Sequence, residues 1–453
     1  MTTKKYYLTT FGCQMNKSDS ERIEAKLKEL GYGPTSQIEE ADLIVINMCS
    51  VRQSAVDRVY GRFRQFKKLK KNRSKLKILL TGCVLKADFN KLKQGFDYIL
   101  PIQTLPFWQD ILEKDNFYYS SNPRDSLSRK RCEDSYLNIA PAYQNNFSAY
   151  LPITVGCDNF CSYCVVPYTR GPMVSRSSKK IIAEIKNLVK NGFKEIWLIG
   201  ENVNSWEEKG KKLKVDSRRK AEELGFSDLL KMINKIPENF WVSFTSSHPK
   251  DFSDELIKTM VKCEKVTHYI SLPLQAGDNE VLKKMNRPYI INDYKKIVKK
   301  IRKAIPDVYL STDIIVGFPG ETKKRFENTA KLFRELQFDM AYIAEYSPRP
   351  GTAAFKIKDG VPLKEKQRRR EVLTKILEEI AIRKNKKYLG KEIEVLVSEA
   401  LKGKFLVGKT KNYCTVKIVD LPEKTEATKM IGKIVKVKII DITPWGLKAH
   451  LVP

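Results

Sequence analysis

Hydrophobic and polar positions divide the chain into three regions with different periodicities. In residues 1–120, short apolar runs of strand length alternate with helical patterns, which is typical of parallel strands joined by right-handed crossovers. This first region is therefore predicted to be an α/β domain. Its apolar runs are 6–10, 43–47 and 76–81, and its helical patterns are 19–30 and 55–69.

The second region, residues 148–385, repeats this alternation. Helical patterns such as 179–190 and 324–336 lie between strand-like runs. Six β-then-α units predict a partial (β/α)6 barrel, whose chemistry would lie at the carboxyl ends of its strands. The six runs are 150–155, 195–199, 241–245, 267–272, 308–316 and 340–346.

The third region, residues 386–453, alternates apolar and polar positions with a period of two, and glycines interrupt it. Five short strands in this length predict a small antiparallel β-barrel, similar in size to an OB-type fold. Residues 121–147, which include Cys132, are polar and charged and are predicted to form a linker. The five barrel strands are 392–398, 405–409, 415–419, 434–440 and 447–451.

The composition adds a strong positive charge to this picture. The 453 residues include 84 Lys and Arg against 53 Asp and Glu, which gives a net charge of +31. Such an excess predicts binding to a polyanion, with nucleic acid first, although a lysine-biased composition would give the same count. Apolar runs fall short of the roughly 18 residues of a membrane helix, and no apolar signal core follows Met1. A cytoplasmic protein without membrane contact is expected.

Three closely spaced cysteines carry the sharpest chemical signal. Cys157, Cys161 and Cys164 have C-x3-C-x2-C spacing directly after the first strand of the predicted barrel. In a reducing compartment such clusters indicate metal or redox chemistry rather than disulfides. Three thiolates can hold three irons of a [4Fe–4S] cluster and leave the fourth iron open to a small molecule. A zinc site is the alternative, but structural zinc takes four ligands and no histidine lies nearby in the sequence.

A second set of cysteines follows the strands of the first region. Cys13, Cys49 and Cys83 each stand at or just after the end of one predicted strand. Because the carboxyl ends of parallel strands share one edge of a sheet, these thiols are expected to converge despite their separation in sequence. Cys263 lies on an apolar-periodic helix and is expected to be a buried spectator, and Cys414 belongs to no motif.

Several motifs, taken in chain order, resemble those of the methylthiotransferase family of radical S-adenosylmethionine (SAM) enzymes. The cysteine loop has the place and spacing of the cluster loop in those enzymes. Segments that resemble their SAM-binding strand ends are Ile-Gly-Glu-Asn-Val-Asn (199–204), Ser-Leu-Pro-Leu-Gln (271–275) and 311–321. Segments that resemble other parts of the family are Thr-Phe-Gly-Cys-Gln-Met-Asn (10–16), Asn-Met-Cys-Ser-Val-Arg (47–52), Thr-Gly-Cys (81–83), Val-Val-Pro-Tyr-Thr-Arg-Gly (165–171), Tyr-Ser-Pro-Arg-Pro-Gly-Thr (346–352) and, in a terminal TRAM-like barrel, Gly-Lys-Thr-Lys-Asn (408–412).

The resemblance implies two [4Fe–4S] clusters and SAM as cofactors. Cys157, Cys161 and Cys164 would hold the radical SAM cluster. Cys13, Cys49 and Cys83 would hold a second cluster in the amino-terminal domain. The residues implied to bind SAM are Tyr163, Gly200, Glu201, Asn202, Pro273, Gln275, Ser311 and Asp313.

The resemblance also implies the reaction, which places a methylthio group on C2 of N6-dimethylallyladenosine at position 37 of tRNA. One SAM would methylate a sulfur, and another would yield a 5′-deoxyadenosyl radical that removes the C2 hydrogen, so no acid–base residue is assigned. Residues around Cys13 resemble the dimethylallyl branch of the family. Branches that act on N6-threonylcarbamoyladenosine or on a ribosomal-protein aspartate are alternatives. A non-catalytic RNA-binding iron–sulfur protein is an alternative of a different class.

Three further expectations concern partners. The resemblance implies the tRNA anticodon stem-loop as substrate, flavodoxin or ferredoxin as a low-potential electron donor, and a monomeric enzyme. The basic run 62–71 has two interpretations, an RNA contact or the solvated face of an amphipathic helix, and 209–220 is interpreted as a basic surface insertion. Tyr413 and Cys414 stand where the family pattern has residues expected to face RNA.

Overall fold

A computed structural model describes residues 4–113, 136–209, 223–401, 405–421 and 424–452. Cys132, most of the predicted linker and the predicted insertion after Lys209 lie outside this range. Within the described part of the chain, no helix is long and apolar enough to cross a bilayer.

The amino-terminal region forms a five-stranded, fully parallel sheet in the order β2-β1-β3-β4-β5. The predicted α/β domain is confirmed, and the two edge strands, only two residues long each, are additions that were too short to predict. The strands are β1 Lys5–Phe11, β2 Gly33–Pro34, β3 Leu43–Cys49, β4 Lys77–Cys83 and β5 Tyr98–Ile99. The helices are α1 Gln14–Glu29, α2 Gln53–Gly61, α3 Phe63–Asn72, α4 Phe89–Leu92 and α5 Trp108–Glu113.

The central strand β3 shows why this sheet forms. All seven of its residues are buried, as expected for a parallel strand covered by helices on both faces. On one face, α3 contributes Phe66 to the core, and Phe63 packs against Phe96. Both phenylalanines of the basic run 62–71 therefore face the protein, which favours the solvated-face interpretation of its lysines.

The middle region forms two three-stranded parallel sheets, β12-β9-β6 and β13-β14-β15, which a single parallel bridge from Val242 to Val266 connects. Together they give the six-stranded partial barrel that the sequence predicts. Its strands and two hairpins are β6 Ser148–Pro152, β7 Thr154–Val155, β8 Val174–Ser175, β9 Glu195–Ile199, β10 Glu207–Lys209, β11 Glu223–Gly225, β12 Trp241–Phe244, β13 Tyr269–Ser271, β14 Tyr309–Val316 and β15 Met340–Glu345. The helices are α6 Val166–Thr169, α7 Ser178–Lys190, α8 Phe226–Asn234, α9 Asp254–Lys262, α10 Asn279–Lys284, α11 Ile291–Ala304, α12 Lys323–Leu336 and α13 Leu363–Asn385.

Side chains alternate between the outer and inner faces of the barrel strands, and each face belongs to a different hydrophobic core. Ile196 and Leu198 of β9 pack against the surrounding helices, whereas Trp197 and Ile199 face inward. The inward residues share a hydrophobic cluster with Ile23 of α1, so the amino-terminal domain covers the open barrel. The last part of the predicted linker enters the same cluster, because Tyr136 is buried there.

The terminal region is a closed five-stranded barrel in the order β16-β17-β18-β20-β19. The expected antiparallel pairing holds except between β18 and β20, which run parallel. A short helix, α14, lies between β18 and β19 in the sequence, and the last strand, β20, lies between these two strands in the barrel. The elements are β16 Glu392–Leu401, β17 Phe405–Lys409, β18 Thr415–Val419, α14 Lys424–Lys429, β19 Ile434–Thr443 and β20 Gly446–Leu451.

The turn between β17 and β18 docks this terminal barrel on the amino ends of the central strands. The ring centroid of Tyr413 lies 4.8 Å from that of Trp197 and 4.6 Å from that of Tyr269. Asn412 donates from Nδ2 to the Asp307 carbonyl at 3.3 Å. Cys414 is buried in the terminal core. Positions 413 and 414, where the family pattern has residues expected to face RNA, therefore hold an aromatic ring that fills an apolar contact between two domains and a buried thiol.

Tyr413 adopts this position at a cost to its backbone, since its φ of 71° lies in the left-handed region. We expect Tyr413→Ala to lower the free energy of unfolding by about 2 kcal/mol, because the change leaves a void against two aromatic rings and keeps the strained φ. Chemical denaturation measures the loss. Trp445→Ala, which truncates an exposed aromatic of the same barrel, is the control and should change little. Equal effects of the two changes would contradict the docking role.

Candidate active site

The three cysteines of the amino-terminal domain meet at the carboxyl edge of its sheet. Cys49 and Cys83 are the last residues of β3 and β4 and are direct partners in the parallel register. Cys13 lies two residues beyond β1 and caps the start of α1. The Cys49 thiol lies close enough to those of Cys13 and Cys83 for both to act on its pKa. The predicted convergence of these three thiols is thus seen in the structure.

Two buried amides fix the loops that carry these thiols. Asn16 donates from Nδ2 to Asn47 Oδ1 at 2.9 Å, and Asn47 donates in return to the Asn16 carbonyl at 2.8 Å. Gly82 has a φ of 97°, and a side chain there would run into Asn47 Oδ1 and the Met48 carbonyl. The Asn and Gly residues of these motifs therefore position the cysteine-bearing strand ends.

The thiols of this group differ in pKa because they interact with one another and with nearby charge. The hydrogen bond with Cys49 is the main cause that lowers the pKa of Cys13 to about 6, and the positive charge of Arg170 acts in the same direction. Hydrogen bonds with Cys13 and Cys83, together with burial, raise the pKa of Cys49 well above its usual value. A thiolate is therefore available at neutral pH, and a thiolate is the form that binds metal.

The second group of thiols lies on the loop after β7. Cys157, Cys161 and Cys164 are each half-buried. Barrel contacts hold the loop from outside: Ser162 donates its backbone N–H to the Met285 carbonyl at 3.0 Å, and Asn286 donates from Nδ2 to the Phe160 carbonyl at 3.0 Å. Burial raises the pKa of the Cys164 thiol to about 12. Within the described residues, no three His, Cys, Asp or Glu side chains, those of the two cysteine groups included, are arranged to hold a single metal ion.

Arg287 is a residue that the motifs did not reveal, and it lies directly beside this loop. Its guanidinium donates to Cys161 Sγ at 3.4 Å, to the Pro273 carbonyl at 3.2 Å and to the Tyr289 hydroxyl at 3.0 Å. It thereby connects the cysteine loop to the end of β13. The only signal in the sequence was an arginine two residues before a tyrosine in 285–289. That pattern by itself does not distinguish an arginine of a binding site from an arginine on the surface.

Arg170 lies between the two groups of cysteines. It is fully buried, donates from Nε to Cys83 Sγ at 3.0 Å and forms an ion pair with Asp19 at 2.6 Å. Glu201, a predicted SAM-binding residue, faces Arg170 at 3.4 Å and accepts a hydrogen bond from the Gly156 N–H at 3.0 Å. Burial raises the pKa of Glu201 to about 7.

The remaining predicted SAM-binding residues lie along the carboxyl ends and inner face of the barrel. Asn202 follows β9 and donates to Asp251 at 2.9 Å. Ser311 lies deeper and donates to the Tyr269 hydroxyl at 3.0 Å. Gln275 has a φ of 72° and pairs with β14 at Ile314. Tyr163 packs edge-on against Phe318.

Several buried polar atoms at these strand ends have no hydrogen-bond partner within the protein. They are found on β7, which follows β6, or after β9 and β12, and β6, β9 and β12 are neighbours in one sheet. A ligand with many donors and acceptors fits such a surface, because an unsatisfied buried polar atom costs free energy. The atoms are Thr154 Oγ1, Asn202 Oδ1, Ser247 Oγ and His248 Nε2.

Asp313 gives a stability prediction. Burial raises the pKa of its carboxyl to about 6, although Arg52 and Arg287 oppose the shift. In the unfolded chain the group ionises near 4, so ionisation costs stability as the pH rises from about 4 through 6. Asp313→Asn should therefore raise the midpoint of thermal unfolding at pH 7.5 and leave it unchanged at pH 4, measured without SAM. An unchanged midpoint at both pH values would contradict the assignment.

Comparisons with known proteins match each of the three regions of the chain. Residues 151–333 match the radical SAM superfamily, residues 5–100 match the Uncharacterized protein family UPF0004, and residues 386–452 match the TRAM domain. A solved radical SAM methyltransferase, TsrM from Kitasatospora setae, has a similar fold with a TM-score of 0.54 at 12% identity, over 78% of this chain and 77% of that one.

Curated relatives match along the whole chain. Each of the following is named tRNA-2-methylthio-N(6)-dimethylallyladenosine synthase. The protein from Clostridium novyi is 39% identical over 99% of this chain and 97% of its own length. The protein from Clostridium botulinum is 40% identical over 98% and 96%, and that from Bacillus cytotoxicus is 38% identical over 99% and 86%. Membership of the radical SAM superfamily implies a [4Fe–4S] cluster and SAM. The chain belongs to the tRNA-2-methylthio-N6-dimethylallyladenosine synthase family of radical SAM enzymes.

Proposed function

We propose that this enzyme converts N6-dimethylallyladenosine at position 37 of tRNA to its 2-methylthio derivative, using one [4Fe–4S] cluster on each cysteine group. The observation that carries the proposal is the pair of cysteine groups, one on each domain, with a single buried arginine between them. We assign residues 1–120 to the amino-terminal domain, 148–385 to the barrel and 386–453 to the terminal domain, with 121–147 between the first two.

The barrel site fits a radical SAM cluster and its SAM. Its three half-buried thiols leave one iron of a cubane without a protein ligand. Beside them are the unpartnered polar atoms of Asn202, Ser247 and His248, which suit the amino acid and ribose groups of SAM. When bound, the cluster and SAM supply a carbon radical, which is needed because the C2–H bond of adenine is neither acidic nor activated.

The amino-terminal site fits a second cluster by the chemistry of its donors. Cys13, Cys49 and Cys83 offer three neighbouring thiols. The low pKa of Cys13 favours the metal-binding form. We propose that this site provides the sulfur. SAM supplies only the methyl group of the methylthio product and keeps its own sulfur, so the transferred sulfur needs another source.

A contact between the two domains positions the loop that follows Cys49. Arg349 of the barrel hydrogen-bonds to Gln53 and donates to the Val51 carbonyl at 3.3 Å, so it holds this loop. The charge of Arg52, on the same loop, acts on Asp313 of the barrel. The adenine would enter between this loop and the barrel strands.

For partners, we propose the tRNA anticodon stem-loop and a flavodoxin or ferredoxin as reductant, with a monomeric enzyme in the cytoplasm. The net charge of +31 and the TRAM domain support RNA binding. A non-catalytic RNA-binding protein would not need the paired thiol sites.

Mass spectrometry of tRNA nucleosides tests the proposed function. A strain without its own enzyme should accumulate N6-dimethylallyladenosine, and supplying this chain should restore the 2-methylthio derivative. Restoration of 2-methylthio-N6-threonylcarbamoyladenosine in its place would assign the enzyme to the other tRNA branch. Absence of any methylthio nucleoside, with the protein expressed, would refute the proposal.

A further inference from the structure

The Arg170 side chain contacts four residues that come from different parts of the chain. Besides Cys83 and Asp19, its guanidinium donates to the Tyr136 hydroxyl at 3.4 Å and lies 3.4 Å from Glu201. Its side chain is fully buried, and so is that of Asp19. Three separate parts of the chain thus fix the direction in which its Nε–H points, which is toward the Cys83 sulfur.

The backbone of Arg170 is fastened to the other cysteine group. Helix α6 begins two residues after Cys164, and the Arg170 N–H donates to the Val166 carbonyl at 2.8 Å. The next residue, Gly171, accepts from the Cys157 N–H at 3.2 Å. A side chain at Gly156 would run into the Gly171 and Pro172 carbonyls. The barrel loop therefore carries Arg170 at a fixed distance from its own thiols.

The positive charge of Arg170 gives its contact with Cys83 an effect on the reduction potential of a bound cluster. The positive charge of Arg170 also acts on Cys13, whereas Arg287, the arginine beside the barrel cysteines, contacts Cys161. Hydrogen bonds to cluster sulfurs and nearby charge are among the factors that set the reduction potential of an iron–sulfur cluster. Reduction adds negative charge, so the Arg170 Nε–H, which is the positive end of the ion pair with Asp19 and faces Cys83, favours the reduced state.

We propose that Arg170 is a positioning residue for the second cluster, which holds the Cys83 thiolate and raises the reduction potential of the cluster bound there. This inference rests on the proposed function, because it requires a cluster on Cys13, Cys49 and Cys83. The same contact links the geometry of the barrel loop to the electronic state of the amino-terminal site.

The test uses the full-length chain with Cys157, Cys161 and Cys164 replaced by Ala, so that a single cluster is observed. In this background, Arg170→Met and Arg170→Lys are compared with the parent by EPR-monitored redox titration and iron analysis. Arg176→Met is the matched control, because Arg176 is also buried and ion-paired, with Glu184 at 2.6 Å, but contacts no thiol. Since Arg170→Met leaves Asp19 buried without its partner, the double change Asp19→Asn with Arg170→Met provides a neutral pair.

We expect the midpoint potential to shift to more negative values in Arg170→Met and in the double variant. Arg170→Lys should recover part of the shift, and Arg176→Met should show none. A double variant that retains its cluster with the parent potential and EPR spectrum would overturn the role of Arg170. A parent that binds no iron would refute the second cluster itself, which is a failure of the proposed function and is separate from the first outcome.

Discussion

Replacing Cys13, Cys49 and Cys83 with Ala should abolish methylthiolation and leave reductive SAM cleavage intact. Replacing Cys157, Cys161 and Cys164 should abolish both reactions. The reason is the separation of the sites: the barrel loop is held by hydrogen bonds to Met285 and Asn286 within its own domain. Both activities are measured under dithionite, as 5′-deoxyadenosine for SAM cleavage and as the modified nucleoside for methylthio transfer.

Cys263→Ala is the control for loss of a buried thiol. Cys263 ends α9 in the helical core, away from both groups, and the change should leave both activities near wild type. If the amino-terminal triple variant still methylthiolates tRNA at the wild-type rate, the division of labour between the two sites is wrong.

The enzyme should discriminate by 100-fold or more between two anticodon stem-loops that differ only in the N6 group of adenosine 37. A dimethylallyl group needs an apolar wall, whereas a threonylcarbamoyl group carries a carboxylate that needs a cation. Of the two arginines near Cys49, Arg349 is already engaged with Gln53 and the Val51 carbonyl, and the charge of Arg52 acts on Asp313. Burying the threonylcarbamoyl carboxylate without a partner costs a few kcal/mol, which corresponds to a discrimination of about 100-fold or more.

Competition between the two stem-loops in one reaction measures this ratio directly. We expect the dimethylallyl substrate to be consumed first and the threonylcarbamoyl substrate to remain nearly unchanged. A preference for the threonylcarbamoyl stem-loop would contradict the substrate assignment and leave the cluster chemistry unaffected.

Periodicity and spacing were sufficient to predict the strands that carry chemistry. All six barrel strands, the three long strands of the first sheet and the five strands of the terminal barrel were predicted, because each has a strong apolar pattern of its own. The convergence of Cys13, Cys49 and Cys83 followed from one rule, that parallel strands end on the same edge.

Contacts between domains could not be predicted in this way. The motif 165–171 includes Arg170, but nothing in the sequence indicates that Asp19 and Cys83 of the amino-terminal domain close around it. Arg287 lies within the barrel, and neither local pattern nor charge distinguishes it from the many other cations of this chain. Tyr413 is a second contact of this kind. Its ring packs against Trp197 of another domain, and no pattern around Tyr413 in the sequence indicates that partner.

Iron content per chain tests the central claim, that each cysteine group binds its own [4Fe–4S] cluster. After anaerobic reconstitution, the wild-type chain should bind about eight irons. Each triple Cys→Ala variant should bind about four, with Mössbauer spectra of a single cubane cluster. A variant lacking Cys13, Cys49 and Cys83 that still binds the full wild-type amount of iron would contradict the account.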